Sequence, residues 1–141
     1  MRVLYTRTTP DDDPAYRLLD QLLGEADIVT LHVPLTDETR GFMDARRLAL
    51  MRDGACLVNT SRGQVVDEPA LVSELVSGRL RAGLDVFANE PDVPPELFEL
   101  DNVVMTPHLG TATEATRETM TRMLVDNLLA VERGERPTNA V

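Results

Sequence analysis

The feature that most constrains this chain is the alternation of short apolar runs with segments of helical periodicity. The runs are nearly continuous in Val, Leu and Ile, which is typical of strands buried on both faces of a parallel sheet. Helical segments fill the gaps, so the sequence predicts an α/β doubly wound sheet. The predicted strands are residues 2–6, 27–33, 55–59, 82–87 and 102–106.

Helix signals separate these strands. Asp13 is a candidate N-cap with Pro14 at the first helical position, and Gly24 is the stop signal of this first helix. A second helix is predicted over residues 44–51, before the turn signal at Asp53 and Gly54. The predicted apolar face of the first helix consists of Leu18, Leu19, Leu22 and Leu23.

Two further helices follow. The third is predicted from Asp67 to Gly78, and the fourth from the capping-box pair Thr111 and Glu114 to Gly134. Proline-rich residues 89–100 are expected to form an ordered loop, because strands flank them on both sides. The apolar positions are Leu71, Val72, Leu75 and Val76 in the third helix, and Met120, Met123, Leu124, Leu128 and Val131 in the fourth.

Composition excludes several classes of protein. The 141 residues carry a net charge of −10, which disfavours binding to the phosphates of nucleic acid. No apolar run approaches the ~20 residues that a membrane span needs, so no membrane partner is expected. Cys56 is the single cysteine and cannot form an internal disulfide, which favours a cytoplasmic location. No motif with metal-ligand spacing occurs, and we predict no metal site.

Polar side chains stand at successive strand ends, where ligands bind in doubly wound folds. Arg62 could grip a carboxylate with its planar guanidinium, and the neighbouring Gly63 would permit a sharp turn. His108 could exchange a proton near neutral pH, and a nearby Glu90 carboxylate would stabilise its charged form. His32 is interpreted as structural, because it lies inside a predicted strand.

A serine hydrolase is a weaker alternative for these strand ends. Ser61, Asp85 and His108 are the residue types of a catalytic triad. The G-x-S-x-G elbow that would hold the nucleophile is missing from the sequence around Ser61. This reading is therefore disfavoured.

Three motifs in order resemble the signatures of the D-isomer-specific 2-hydroxyacid dehydrogenases, and the resemblance covers essentially the whole chain. They are the stretch from Val58 to Asp67, the stretch from Gly83 to Phe87 with Glu90-Pro91, and the stretch from Thr106 to Gly110. The resemblance is strongest to the glyoxylate and hydroxypyruvate reductases. It implies hydride transfer between a nicotinamide cofactor, NAD(P), and a small 2-oxo or 2-hydroxy acid, in an enzyme that forms homodimers.

The resemblance also implies residue roles. Arg62 would orient the substrate carboxylate and carbonyl, His108 would be the general acid/base, and Glu90 would set the protonation of His108. Asp85 would approach the nicotinamide end of the cofactor. The other cofactor-binding residues would be Thr60 and Ser61 near the nicotinamide, Val33 and Pro34 beside the adenosine, and His108 and Gly110.

One clue concerns the choice of cofactor. Enzymes that use NAD place an acid at the end of the second strand for the ribose 2′-hydroxyl, whereas an Arg suits a 2′-phosphate. Here that position reads Thr6-Arg7-Thr8, and Asp11 comes only later. The sequence therefore favours NADP, with these three residues at the phosphate.

The sequence contains no G-x-G-x-x-G loop, which cradles the cofactor pyrophosphate in this family. We therefore expect an incomplete, Rossmann-like sheet that lacks its first strand. The predicted division is a partial dinucleotide-binding domain at residues 1–110, then a C-terminal helix and tail at 111–141 that return to a substrate domain. Without the central strand, residues 2–6 and 27–33 should separate from the other three strands.

Three hypotheses follow from this incompleteness. The chain is an enzyme fragment that is inactive in isolation, a non-catalytic NAD(P)-sensing binding module, or a half-protein that another chain completes. The exact 2-oxo acid is left open, because the substrate pocket draws on residues beyond these motifs.

Overall fold

The computed structural model describes residues 1–140, which form two compact units, Met1–Pro107 and His108–Val141. The first unit is built on a parallel sheet whose four strands lie in chain order. Short helices connect the strands, as a parallel sheet requires. The strands are β1 (Ile28–Leu31), β2 (Cys56–Asn59), β3 (Arg81–Leu84) and β4 (Val103–Met105), and the helices of this unit are α1 (Leu19–Glu25), α2 (Ala45–Leu50) and α3 (Glu68–Val76).

The α/β parallel architecture is confirmed, but the predicted break in the sheet is wrong. β1 pairs directly with β2, with Ile28 opposite Cys56 and Leu31 opposite Asn59. The two strands satisfy each other's backbone groups, so no additional strand is needed between them. β2 pairs with β3 and β3 with β4 in the same parallel sense.

The predicted strand at residues 2–6 is also wrong. Within the described residues this segment contributes one isolated bridge, between Tyr5 and Tyr16. Tyr5 N–H donates to the Ala15 carbonyl, and Arg17 N–H donates to the Tyr5 carbonyl. An apolar run becomes a strand only where a neighbour pairs with it over several residues.

Two of the three N-caps predicted for the helices of the first unit are confirmed and one is wrong. Asp44 and Asp67 cap α2 and α3 as predicted, each accepting a hydrogen bond from the backbone N–H three residues on. Asp13 does not cap a helix, because its carboxylate accepts from the Ala15 N–H in a turn and α1 begins only at Leu19. Gly24 lies inside α1 and does not end it.

The strands bury one face of the sheet: Val29, Leu31, Leu57, Ala82 and Leu84 are buried, whereas the alternate positions of these strands are exposed or only partly buried. The predicted burial of the strands on both faces is therefore wrong. Val76 and Leu18, which were expected to be buried, are exposed. Residues 89–100 contain a 3₁₀ helix, Pro95–Glu99, and pack Leu97 into the core. The fully buried large side chains include Leu23, Met43, Leu48, Leu57, Leu75, Leu80 and Leu97.

The second unit contains one long helix, α4 (Glu114–Glu132). Its N-cap is Thr113, which accepts from Thr116 N–H, so the prediction of Thr111 was wrong by two residues. Gly134 adopts a left-handed φ of +71° just after the helix and ends it as predicted. The predicted stripe is exposed at Met120, Met123, Leu124, Leu128 and Val131, and Ala130 is the buried residue of the helix.

Candidate functional site

The carboxyl ends of β2, β3 and β4 share one edge of the sheet, because all three strands are parallel. Asn59 of β2 lies opposite Leu84 of β3, which in turn lies opposite Met105 of β4. The residues that follow these three positions include the predicted site residues Arg62 and Asp85. The first unit therefore collects polar side chains from successive strands at the edge where doubly wound folds bind ligands.

Asn59 braces the loop that carries Arg62. Its side chain is almost fully buried, Nδ2 donates to the Arg62 carbonyl at 3.0 Å, and Oδ1 accepts from Ser61 N–H and Oγ at 3.1 and 2.8 Å. The Arg62 side chain is exposed, and its Nη1 donates to the Ser61 carbonyl. The sequence prediction assigned no role to Asn59, although a polar residue that ends a buried strand was a usable signal.

Gly63 is required for close packing rather than for the predicted sharp turn. Gly63 does not adopt a positive φ, and it is buried against the loop that follows β3. A Cβ at this position would lie 1.9 Å from the Phe87 carbonyl carbon and 2.4 Å from the Ala88 nitrogen. The Arg62 loop and the loop that follows β3 are thus in direct backbone contact.

Glu90 lies on the loop that follows β3 and is exposed. Its Oε1 accepts a hydrogen bond from the Phe87 N–H at 3.0 Å, and the Glu90–Pro91 peptide is cis. Two side chains from the segment after Arg62 also reach this loop. Gln64 Nε2 donates to the Ala88 carbonyl at 2.7 Å, and Glu68 Oε1 accepts from the Ala88 N–H at 2.8 Å.

Asp85 is one of two buried polar residues in the first unit. Thr106 Oγ1 donates to its Oδ1 at 2.5 Å, which joins the carboxyl ends of β3 and β4. The Asp85 N–H donates to the Asn59 carbonyl. A carboxylate is thus held at the shared edge, and its expected position near a nicotinamide stays a prediction.

The predicted phosphate-binding residues Thr6, Arg7 and Thr8 lie beside a carboxylate. Arg7 Nη2 lies 2.5 Å from Asp11 Oδ2, and Arg7 Nε donates to the Thr9 carbonyl. Tyr5 donates its hydroxyl proton to the same Asp11 oxygen at 2.6 Å. This hydrogen bond is the main cause of a raised pKa of Tyr5, to about 12, and of a lowered pKa of Asp11.

Val33 and Pro34 follow the carboxyl end of β1. Val33 packs partly against the core, and the Pro34 carbonyl accepts from Thr39 Oγ1 at 2.6 Å. His32 lies just beyond β1 rather than inside it, is exposed, and has Nε2 3.0 Å from Thr30 Oγ1. The predicted location of His32 within a strand was wrong because β1 ends at Leu31.

His108 is the first residue of the second unit. It is exposed and adopts a φ of +54°, which is uncommon for a residue other than glycine and concentrates at functional sites. Leu109 and Gly110 follow it, both exposed, before the N-cap of α4. The pairing of His108 with Glu90 stays a prediction.

The chemistry of these groups fits parts of a dinucleotide. Arg7 and the hydroxyls of Thr6 and Thr8 are suited to a ribose or its phosphate, whereas Thr60 and Ser61 stand at the sheet edge near Asp85. Within residues 1–140, no cluster of His, Cys, Asp and Glu is arranged to hold a metal ion. Over the same residues, no helix has the length and apolar character that crossing a bilayer requires.

Comparison with known proteins identifies a family. Residues 1–110 match the model of the D-isomer specific 2-hydroxyacid dehydrogenase NAD-binding domain. The chain is 47% identical over its whole length to glyoxylate reductase of Pyrococcus furiosus, of which the match spans 44%. The chain therefore spans less than half the length of this curated relative.

Solved structures give the same result. The TT0316 protein of Thermus thermophilus superimposes with a TM-score of 0.91 and 49% identity, over 100% of this chain and 46% of that one. A second match is the NADPH-dependent glyoxylate/hydroxypyruvate reductase of Sinorhizobium meliloti, solved with NADP and malonate. It superimposes with a TM-score of 0.82 and 37% sequence identity, over 90% of this chain and 41% of that one. At these identities the likeness extends beyond fold alone.

Proposed function

This chain belongs to the D-isomer-specific 2-hydroxyacid dehydrogenases through its NAD-binding domain, and from that premise we propose that it serves hydride transfer between NAD(P)H and a small 2-oxo acid. Glyoxylate and hydroxypyruvate are the proposed substrates. The observation that carries this proposal is the family match over residues 1–110, which includes Arg62, Glu90 and His108. Relatives named for glyoxylate reduction support the substrate class.

The three side chains have distinct proposed roles. Arg62 binds the substrate carboxylate and orients the neighbouring carbonyl, since its exposed guanidinium stands on a braced loop. The hydride for the second carbon of the substrate would come from a reduced nicotinamide when the cofactor is bound. His108 gives its proton to the carbonyl oxygen, which completes the 2-hydroxy acid, and Glu90 stabilises the protonated imidazole beforehand.

NADP is the proposed cofactor, with Arg7, Thr6 and Thr8 at the 2′-phosphate. The Sinorhizobium meliloti relative, solved with NADP, supports this choice. Asp11 contacts Arg7 and opposes a second negative charge there, so the Arg7 guanidinium must exchange its partner when phosphate binds. Asp85, Thr60, Ser61, Val33, Pro34 and Gly110 are proposed as further cofactor contacts.

Other features of the complete enzyme are proposed with it. Residues 1–110 serve as the dinucleotide-binding part, and residues 111–141 return the chain to a substrate domain. The enzyme works in the cytoplasm as a homodimer. The isolated chain of 141 residues does not turn over glyoxylate, because less than half of a relative's length is present. Turnover by purified residues 1–141 would overturn this last statement.

A chimera tests the function. This chain replaces the matched 44% of the Pyrococcus furiosus enzyme, and the NADPH-dependent reduction of glyoxylate is measured. We expect His108→Gln to lower kcat by about 10²–10⁴-fold and Arg62→Lys to raise KM for glyoxylate. Arg52→Lys is the matched control, because Arg52 is exposed and pairs with Asp27 before β1.

Three results would each contradict a part of the proposal. A chimera that folds and binds NADPH but does not reduce glyoxylate would contradict the proposed reaction. Full activity of the His108→Gln variant would contradict the proposed acid/base role of His108. A lower KM for NADH than for NADPH would replace NADP by NAD as the cofactor.

A further inference from the structure

Both backbone polar groups of Ala88 form hydrogen bonds with side chains from another segment of the chain. Gln64, in the 3₁₀ turn Gly63–Val65, donates to its carbonyl, and Glu68, the first residue of α3, accepts from its N–H. We propose that these two residues, here called the Ala88 clamp, are positioning residues that fix the Glu90 loop relative to Arg62. The catalytic meaning of the clamp rests on the function proposed above.

A continuous path of short contacts joins Arg62 to Glu90. Gly63, next to Arg62, packs on the Phe87 carbonyl so closely that no Cβ could be placed there. The N–H of the same Phe87 donates to Glu90 Oε1 at 3.0 Å. This path runs through backbone atoms and a single side chain, that of Glu90, whose carboxylate is fixed by the Phe87 N–H. The clamp holds the next residue, Ala88, in place.

The α3 helix does not need Glu68 for its own start. Asp67 is the N-cap, and its Oδ1 accepts from Ala70 N–H at 3.1 Å. The Glu68 carboxylate is therefore available to reach across to Ala88, 20 residues further along the chain. A hydrogen bond from a backbone N–H to a carboxylate is stronger than one between neutral groups, and here it joins the first turn of α3 to the loop that follows β3.

The spacing between Arg62 and Glu90 matters for the proposed reaction. Arg62 fixes the substrate carboxylate, and Glu90 acts on the residue that supplies the proton. A displacement of about 1 Å between groups that act together on a substrate lowers the catalytic rate by about 100-fold. Loss of the clamp is therefore expected to lower kcat and to shift the pH profile of kcat, with a smaller effect on KM.

Amide hydrogen exchange in the 141-residue chain tests the geometry without any activity. Glu68→Ala is expected to raise the exchange rate of the Ala88 N–H at least about fivefold, and that of the Phe87 N–H in the same direction. Glu68→Gln keeps an acceptor oxygen and is expected to restore slow exchange. Glu74→Ala is the matched control, because Glu74 lies on the same helix but pairs with Arg79.

The chimera tests the catalytic consequence. Glu68→Ala is expected to lower kcat about 10- to 100-fold and to move the pH profile, with Glu68→Gln close to the unsubstituted protein. Equal effects of Glu68→Ala and Glu74→Ala on Ala88 exchange, or no rescue by Glu68→Gln, would overturn the clamp. An active chimera with kcat unchanged in Glu68→Ala would overturn its positioning role. An inactive parent chimera counts against the proposed function, and the exchange experiment still decides the clamp.

Discussion

At the scale of single residues, two glycines show how tertiary contacts determine whether a position can accept a side chain. Gly63 faces the Phe87 carbonyl and the Ala88 nitrogen, whereas a Cβ on Gly24 would meet no atom within 4 Å. Neither has a positive φ. The structure therefore has no space for a side chain at Gly63, while Gly24 is an ordinary helix position that carries the entropic cost of glycine.

Alanine substitutions at these glycines should change stability in opposite directions. Gly63→Ala is expected to lower the free energy of unfolding by about 1–3 kcal/mol, because a backbone segment must move to admit the methyl group. Gly24→Ala is expected to raise it by about 0.5 kcal/mol. Urea denaturation of both variants checks this, and an unchanged stability of Gly63→Ala would contradict the close approach.

The Tyr5 hydroxyl should lose its proton at a higher pH than an ordinary tyrosine does. Its hydrogen bond to Asp11 raises the pKa of Tyr5 from 10.0 to about 12. The folded state holds this proton more tightly, so the contribution to stability is complete below about pH 10 and is lost as the pH rises towards 12. For Asp11, whose pKa is lowered, the contribution is present above the ordinary carboxyl range and is lost as the pH falls through the lowered value.

Ultraviolet absorbance of tyrosinate measures this effect. Tyr5 and Tyr16 are the two tyrosines, so Tyr16→Phe leaves Tyr5 as the reporter. We expect its ionisation near pH 12, and Asp11→Asn should bring it down towards the ordinary value. Ionisation of Tyr5 near pH 10 in the Tyr16→Phe protein would contradict the hydrogen bond.

At the scale of elements, the ends of helices were predictable where the capping residue had no competing partner. Asp44 and Asp67 each accept from a backbone N–H of the following helix. Asp11 and Asp13 instead accept from Asp13 N–H and Ala15 N–H within one turn. Short acidic side chains serve caps and turns equally well, and local sequence does not distinguish the two uses.

Arg79 joins α2 to α3. Its Nη1 and Nη2 donate to the Met51 and Leu48 carbonyls at the C-terminal end of α2, and its Nε donates to Glu74 at 2.6 Å. The hydrogen bond that Arg79 donates to Glu74 is the main cause of a raised pKa of Arg79. One guanidinium thus donates to the carbonyl of the C-cap residue Met51 and gives the Leu48 carbonyl, which already accepts from the Met51 N–H, a second donor.

Removing this guanidinium should cost more than removing a surface one. Arg79→Met is expected to lower the free energy of unfolding by about 1–3 kcal/mol, because the Met51 and Leu48 carbonyls each lose a charged donor. Arg46→Met, which breaks an exposed pair with Asp20, should cost about 0–1 kcal/mol. Thermal or urea unfolding compares them, and equal losses would contradict the role of Arg79.

At the scale of the whole molecule, the order of strands predicts where the first unit is most resistant to opening. β2 and β3 have a neighbour on both sides, whereas β1 and β4 are the edges of the sheet in the described residues. Backbone groups at an edge open more readily than those in the centre.

Native-state amide exchange should therefore be slowest at Leu57, Val58 and Ala82 and faster at Val104. The central strands combine paired backbones on both sides with a buried Leu57 side chain, whereas Val104 is exposed. Mass spectrometry or NMR of the chain measures the rates. Protection of β4 equal to that of β2 would show that the open edge is covered in solution.

The sequence by itself determined the parallel α/β class, four of the five predicted strands, the caps at Asp44 and Asp67 and the loops that carry Arg62 and Glu90. These are local signals: apolar runs, capping side chains and motif residues within a few positions of each other. Only the tertiary structure decided that residues 2–6 form no strand, that β1 pairs with β2, and that Gln64 and Glu68 hold Ala88. Each of these depends on contact between segments far apart in the chain, and a residue's own neighbours in sequence do not encode which distant backbone group will stand beside it.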